Sequence, residues 1–243
     1  MSRKEEIIRE YKQKDFIKNE FDRTRSEHIF RKRKHAFETK IILNAVNSIK
    51  KDKVRILDVA CGTGRLLEEI AGSKKNISYV GLDTSREMLG ELRGKNIRLK
   101  KGDEIRLVLS DAEKIPFRDN TFDVVFSYHL LWHIPFENQK KIIREMMRVA
   151  NPDGLVIFDT INKNFLWKKI KPALGMKNDP EMYCLSISDI KKIMARGKIA
   201  RIHKQFDIPI KNRQIYEIFN ITNRMQKILP ESFFHLIYYG LKK

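Results

Sequence analysis

The stretch that decides the fold is VRILDVACGTGRLL at residues 54–67. Its apolar residues run almost without a break to Ala60, as expected for a strand that is covered on both faces. Asp58 interrupts that run, and a carboxylate among buried residues needs a hydrogen-bond donor. Gly62 and Gly64 then allow a sharp turn and a close approach of the backbone to a ligand. The stretch therefore predicts a strand, a glycine turn and a helix whose first N–H groups face a ligand.

The glycine turn alone does not decide between a ligand site and an ordinary strand-to-helix turn. The dinucleotide-binding fingerprint requires a third glycine where this chain has Leu67, so NAD is disfavoured. A second apolar run at 77–82 ends in Asp83, at about the distance where nucleotide-binding α/β units place a carboxylate for ribose hydroxyls. Helix capping is the alternative, but residues 84–87 already form a capping box. The sequence therefore favours a ribose-binding role for Asp83.

Four segments of the chain, in this order, resemble the class I S-adenosylmethionine-dependent methyltransferases, and within them the group of the quinone-biosynthesis O-methyltransferases. They are ILDVACGTG at 56–64, VGLD at 80–83, SDAEKIPFRDNTFDVVFS at 110–127 and VANPDGLVIFDTIN at 149–162. The resemblance implies a Rossmann-like α/β fold, with a doubly wound, seven-stranded, mostly parallel sheet and helices on both faces. It also implies an N-terminal helical lid and a small cap insertion.

The same resemblance implies S-adenosyl-L-methionine as the cofactor. Asp58 would lie at its amino acid part, Asp83 at its ribose and Asp111 at its adenine, although Asp111 is equally explained as an ordinary loop residue. The methyl group would lie near the end of the fourth strand. The complete set of expected cofactor-binding residues is Asp58, Ala60, Gly62, Gly64, Asp83, Thr84, Met88, Asp111, Ala112, Ser127 and Tyr128.

The segment YHLLWHIP at 128–135 contains two candidate catalytic histidines, His129 and His133. His133 falls on the histidine of a Leu-Glu-His-Val-Pro segment in the resembled group, and Trp132 replaces its glutamate. The spacing of the two histidines predicts that they share one face of a helical turn. Either could act as a general base on the methyl acceptor, with His129 the first candidate, or both could be hydrogen-bonded pocket residues. No third ligand lies nearby in the sequence, so we expect no metal site.

Composition excludes several classes of protein. The 243 residues contain no apolar run of about 20 residues, as a membrane span requires, and the N-terminus is charged rather than signal-like. Cys61 and Cys184 have no metal-ligand spacing, and we expect no disulfide framework. We expect a cytoplasmic protein with one domain, formed by an N-terminal helical lid (1–50), a cofactor-binding core (51–162), and a substrate cap with the C-terminal strands (163–243).

The formal net charge of +19 leaves several partners open. A surplus of this size is typical of proteins that contact nucleic acid, an anionic membrane surface or an acidic substrate. It also arises from a compositional bias toward lysine. The densest basic cluster is RKRK at 31–34.

The sequence predicts an enzyme that transfers a methyl group from S-adenosylmethionine to an oxygen or nitrogen of a small-molecule acceptor. Two alternatives remain open. A tRNA or RNA methyltransferase would account for the charge, and contact with tRNA or a membrane surface would then use the basic patches. A non-catalytic module that only binds the cofactor would account for the same motifs.

Overall fold

The computed structural model describes residues 29–166, 183–194, 198–205, 230, 234 and 236–242. The helices are α1 (Ile29–Ser48), α2 (Leu67–Ala71), α3 (Arg86–Gly94), α4 (Phe136–Val149) and α5 (Ile187–Ile193), with a short 3-10 helix at Leu131–His133. The strands are β1 (Lys53–Val59), β2 (Asn76–Asp83), β3 (Glu104–Leu109), β4 (Phe122–Ser127), β5 (Ala150–Ile161), β6 (Lys198–Gln205) and β7 (Leu236–Lys242). The helices predicted within 1–28 and at 212–229, and residues 167–182 of the predicted cap, lie outside the described residues.

The strands form one sheet in the order β3-β2-β1-β4-β5-β7-β6. Strands β1 to β5 pair in parallel with one another. Strand β7 lies between β5 and β6 and runs antiparallel to both. The prediction of an α/β fold with a mostly parallel sheet is thereby confirmed. Because the strand order reverses beside β1, the carboxyl ends of β1 and β4 form the crevice where open α/β sheets bind ligands.

The two faces of the sheet bury two separate apolar cores. Along β1, Val54 and Ile56 pack toward one face, and Leu57 and Val59 toward the other; all four are 0% exposed. The first face is covered by α1, α2 and α3, and the second by α4 and α5. This explains the nearly continuous apolar run of the opening stretch, since both faces of β1 are covered.

β5 begins at Ala150 and includes residues 151–154, whose Asn-Pro-Asp-Gly sequence is typical of a turn. The β4–β5 register shifts between Phe122 and Val124, and Asn151 Nδ2 donates to Asp123 Oδ1 at 2.6 Å across this irregularity. Helix α1 begins at Ile29, so it includes Lys34 and His35, whose side chains contact the rest of the protein as described below.

Among the helices that the structure describes, none is both long enough and apolar enough to cross a membrane.

Candidate functional site

Two hydrogen bonds connect the glycine turn after β1 to the end of β2. The N–H of Cys61 donates to the carbonyl of Leu82 at 3.0 Å, and the N–H of Gly62 donates to Asp83 Oδ2 at 2.8 Å. Ala60 has a φ of 60° and Gly62 a φ of 56°, both in the left-handed region. A residue with a side chain is strained there by about 1–2 kcal/mol. The turn therefore places a strained alanine at the opening of the candidate site.

A cavity lies at the carboxyl ends of β1, β2, β3 and β4. It is lined by every predicted site residue except Gly64 and Ser127. Two features of the cavity were not predicted from the sequence: Arg65, which directly follows the glycine turn, and an apolar wall. That wall includes Leu66, Leu130, Ile134 and Ile142.

Gly64 and Ser127 lie behind the cavity and support its wall. Gly64 has a φ of 71°, and a Cβ atom there would lie 2.2 Å from Cδ1 of Leu92 in α3. The hydroxyl of buried Ser127 donates to the carbonyl of Val59 at 2.8 Å, which ties β4 to β1. The cofactor contacts expected for these two residues therefore stay predictions.

Three carboxyl groups from the ends of three strands line the cavity. Asp58 is 5% exposed and accepts a hydrogen bond from the Tyr79 hydroxyl at 2.7 Å; burial raises the pKa of Asp58 to about 7. Asp83 accepts from the N–H of Gly62 and from the N–H of Ser85 at 2.9 Å, and burial raises its pKa as well. Asp111 is exposed and accepts from the N–H of Glu113 at 2.9 Å.

His133 is oriented by its neighbour Trp132. The indole Nε1–H of Trp132 donates to Nε2 of His133 at 2.9 Å, and the Trp132 side chain is buried. An indole N–H only donates, so Nε2 of His133 must be the acceptor nitrogen, and a neutral ring carries its proton on Nδ1. The residue that replaces the glutamate of the resembled group therefore fixes the tautomer of the histidine beside it.

His129 occupies a different environment. Its φ is 63° and its N–H donates to Asp159 Oδ1 at 2.8 Å. Its Nε2 lies 2.8 Å from Glu38 Oε1, and its Nδ1 lies 3.4 Å from Lys34 Nζ. Burial, together with the Lys34 ammonium, lowers the pKa of His129 to about 3, so the ring is neutral.

The structure corrects one prediction about the two histidines. The 3-10 helix starts only at Leu131, so His129 and His133 do not share a helical face; that prediction was wrong. Both ring nitrogens of His129 are engaged and its pKa is far below neutral. This geometry does not support His129 as a general base at neutral pH.

Glu38 joins His129 to a chain of charged side chains. Glu38 is 0% exposed, and its Oε2 lies 2.7 Å from NH2 of Arg65. The NH1 group of Arg65 donates to Nδ1 of His35 at 2.8 Å, and Nε2 of His35 lies 2.5 Å from Glu69 Oε1. Burial alone would raise the pKa of Glu38, but its contacts with His129, Arg65 and Lys34 outweigh burial and hold that pKa below its usual range.

Glu38, His129 and Asp159 have the residue types of a metal site. One ligand atom from each lies within 4.8 Å of the others. The cationic groups of Arg65 and Lys34 contact the same cluster and oppose the binding of another cation. Among the described residues, this cluster is therefore a set of carboxyl groups balanced by side-chain cations.

The residues of the basic cluster at 31–34 differ in their exposure to solvent. Lys32 and Arg33 are exposed, whereas Lys34 is half-buried. The Lys34 ammonium lies 5.3 Å from the centroid of the Trp132 ring, within the range of a cation–π contact. At least Lys34 is therefore part of the site and not of a solvated basic surface.

The comparison with known proteins agrees with this geometry. Residues 57–158 match the family model described as a methyltransferase domain. This part of the chain, about two fifths of its length, is therefore similar to a methyltransferase domain. The match includes the glycine turn, the ends of β2 and β3, and the segment with both histidines.

Several curated methyltransferases match part of the chain. A ubiquinone/menaquinone biosynthesis C-methyltransferase of Rickettsia typhi is 31% identical over 150 residues, covering 60% of this chain and 57% of the relative. A demethylmenaquinone methyltransferase of Shouchella clausii is 38% identical over 132 residues, covering 49% of this chain and 54% of the relative. The chain spans about half the length of the curated relatives that it matches.

Among solved structures, the magnesium protoporphyrin IX methyltransferase of Synechocystis PCC 6803, crystallised with bound SAH, has the same fold. The TM-score is 0.67 and the sequence identity 19%, with 98% of this chain and 100% of that chain covered. At this identity the similarity shows the fold alone.

Proposed function

We propose that this chain is an S-adenosylmethionine-dependent methyltransferase that transfers a methyl group to an oxygen or nitrogen of a small-molecule acceptor. The observation that carries the proposal is that Asp58, Asp83 and Asp111 line one cavity from the ends of three parallel strands. The cofactor has hydrogen-bond donors in its ammonium group, its ribose hydroxyls and its adenine amino group. A carboxylate can accept a hydrogen bond from each of them.

The residues present fit this cofactor. Asp83 already accepts two backbone N–H groups, but the two oxygens of a carboxylate together have about four lone-pair sites, which leaves capacity for ribose hydroxyls. Met88 and Ala112 add buried apolar surface beside the carboxylates, as an adenine ring needs.

The bound cofactor would supply the reactive sulfonium methyl group, and the chain would supply alignment and exclusion of water. In this proposal, Asp58 holds the ammonium group, Asp83 the ribose and Asp111 the adenine. Tyr128 and His133 line the remaining part of the cavity, where the acceptor would bind.

The N-terminal part of α1 would belong to the predicted lid, within a single domain. Lys34, His35 and Glu38 of α1 contact His129, Arg65 and Glu69 from the rim of the cavity. A small-molecule acceptor is supported by the curated relatives, whose names refer to quinones.

Titration calorimetry with S-adenosylmethionine and S-adenosylhomocysteine tests the cofactor. We expect micromolar binding, about −8 kcal/mol. Asp83→Asn should weaken it at least about tenfold, because a ribose hydroxyl would lose a charged acceptor. Asp153→Asn is the matched control, since Asp153 is exposed and does not line the cavity, and its affinity should be unchanged. A wild-type protein that binds neither compound would contradict the proposal.

Transfer of a labelled methyl group into cell extract tests the acceptor class. Label in the low-molecular-weight fraction is the expected result. Label that is lost after ribonuclease treatment would instead identify an RNA acceptor, and cofactor binding without any transfer would identify a non-catalytic module.

A further inference from the structure

The carboxyl group of Asp58 is held from behind by a buried tyrosine. Asp58 lies among the apolar residues of β1, where a carboxylate needs a hydrogen-bond donor. The hydroxyl of Tyr79 supplies it and donates to Oδ2 of Asp58 at 2.7 Å. Among the described residues, no other group donates to this carboxyl group, which also lines the cavity. One oxygen is thus occupied by the protein, while the carboxyl group borders the space where a ligand would bind.

Tyr79 itself lies outside the cavity. It is 1% exposed and belongs to the apolar core on the face of the sheet that α1, α2 and α3 cover. Its side chain does not line the cavity. Any effect of the Tyr79 hydroxyl on a ligand must therefore pass through Asp58.

Gly81 leaves room for the Tyr79 ring. Asp58 of β1 pairs with Gly81 of β2, and residues 79 and 81 point to the same face of the sheet. A Cβ atom at position 81 would lie 3.1 Å from Cε1 of Tyr79 and 2.9 Å from Sγ of Cys61. A side chain at position 81 would therefore displace the ring or the glycine turn, and glycine allows both to pack beside Asp58.

The Tyr79 hydroxyl acts on Asp58 as a donor. Burial and the nearby Asp58 raise the pKa of Tyr79 well above its usual value, so the hydroxyl keeps its proton. Its hydrogen bond favours the ionised form of Asp58, whereas burial disfavours that form and raises the pKa of Asp58 to about 7. The other titratable or charged groups that face Asp58 within the described part of the chain are Cys61, Arg65, Asp83 and Tyr128.

We propose that Tyr79 is a positioning residue for cofactor binding: its hydroxyl holds Oδ2 of Asp58 so that the other oxygen of the carboxylate accepts from the ammonium group of S-adenosylmethionine. This rests on the proposed function and deepens it, because the affinity for the amino acid part of the cofactor then depends on a residue outside the cavity. A phenylalanine at position 79 would fill the same core space, but it would leave the carboxylate free to rotate and less stabilised as an anion.

Two ligands that differ only in the amino acid part test this. S-adenosylhomocysteine carries the ammonium group, whereas 5′-methylthioadenosine has the same adenine, ribose and thioether without it. In calorimetry at pH 7.5, Tyr79→Phe should weaken the binding of S-adenosylhomocysteine by about five- to tenfold and leave that of 5′-methylthioadenosine within about twofold. An equal loss for both ligands would show a general disturbance of the cavity and overturn the proposal. Unchanged binding of S-adenosylhomocysteine would overturn it as well.

A double-mutant cycle shows whether Tyr79 acts through Asp58. In the Asp58→Asn background no carboxylate remains to be held, so Tyr79→Phe should cause no further loss of affinity for S-adenosylhomocysteine. A loss as large as in the unmodified protein would overturn the proposal. Ser78→Ala is the matched control, since it removes the hydroxyl of the next residue in β2, which donates to the exposed Glu104 at 3.3 Å. Its affinity for both ligands should be unchanged.

The unmodified protein offers a readout that needs no variant. The carbon NMR signal of Tyr79 Cζ should move when S-adenosylhomocysteine binds, because the ammonium group draws charge from the carboxylate that accepts the hydroxyl proton. Binding of 5′-methylthioadenosine should move it much less. Equal movement with both ligands, or none with either, would contradict the proposed link between Tyr79 and the amino acid part of the cofactor.

The failure of this inference is distinguishable from failure of the proposed function. If the unmodified protein binds neither S-adenosylmethionine nor S-adenosylhomocysteine, the proposed function fails and this inference with it. If S-adenosylhomocysteine binds and Tyr79→Phe weakens both ligands equally, or neither, only the positioning role of Tyr79 is overturned.

Discussion

Glu38 of α1 and His129 at the end of β4 are joined by a buried contact, with 2.8 Å between Oε1 of Glu38 and Nε2 of His129. Glu38 also lies 2.7 Å from Arg65, which follows the glycine turn. The Glu38 side chain, which is 0% exposed, thus connects α1 to His129 and to Arg65, and both of these residues line the cavity. The positions of His129 and Arg65 in the cavity wall depend on this connection.

Glu38→Gln should lower the free energy of unfolding by about 3–5 kcal/mol, because removing one member of a buried ion pair leaves the other charges uncompensated. Denaturant unfolding at pH 7 measures this. Glu137→Gln is the control, since Glu137 forms an exposed pair with Lys140 within α4 and its loss should leave stability nearly unchanged. An equally small effect of Glu38→Gln would show that the buried network does not stabilise the fold.

The grouping of three carboxyl groups in one cavity could be predicted from the sequence, for a physical reason. Buried parallel strands appear as apolar runs, and the residues just after them must meet at one edge of the sheet. Asp83 and Asp111 come at or just after the end of such a run, Asp58 lies two residues before the end of one, and the structure brings all three into one cavity. Their roles toward the cofactor remain proposals.

The part of the cavity around His129 could not be predicted from the sequence in the same way. Lys34, His35 and Glu38 are polar residues of a helix and look like a solvated face, yet Lys34 contacts His129 across 95 positions of sequence. A single left-handed residue such as His129 leaves no periodic signal. The four-residue spacing of the histidines suggested a shared helical face only because a continuous helix was assumed.

Gly64→Ala should destabilise the protein, and Gly90→Ala should not. An alanine at position 64 would have a positive φ and a Cβ 2.2 Å from Leu92, which must shift within a buried environment. The combined cost is about 2–4 kcal/mol. Gly90 lies within α3, and a Cβ atom added there would meet nothing within 4 Å, so alanine should stabilise by up to about 1 kcal/mol. Thermal unfolding of the two variants in parallel checks this, and equal melting temperatures would refute the tight packing of the turn against α3.

Binding of S-adenosylmethionine should strengthen as pH rises toward 7. Burial raises the pKa of Asp58 to about 7, so below that pH the carboxyl group is mostly protonated and cannot pair with the ammonium group. Affinity should therefore fall by up to about tenfold for each pH unit below 7 and level off above it. Calorimetry between pH 5.5 and 7.5 measures the dependence, which Asp58→Asn should abolish.

Tyr79→Phe removes a hydrogen bond that lowers the pKa of Asp58, so the midpoint of the pH dependence should move to higher pH. An unchanged midpoint in Tyr79→Phe would contradict this assignment.

The tautomer of His133 should depend on Trp132. Since the indole N–H donates to Nε2 of His133 at 2.9 Å, nitrogen NMR of the protein should show the proton on Nδ1 at neutral pH. Trp132→Phe keeps an aromatic ring but removes the donor, so the proton should no longer be confined to Nδ1. If Nε2 carries the proton already in the unmodified protein, Trp132 does not orient His133.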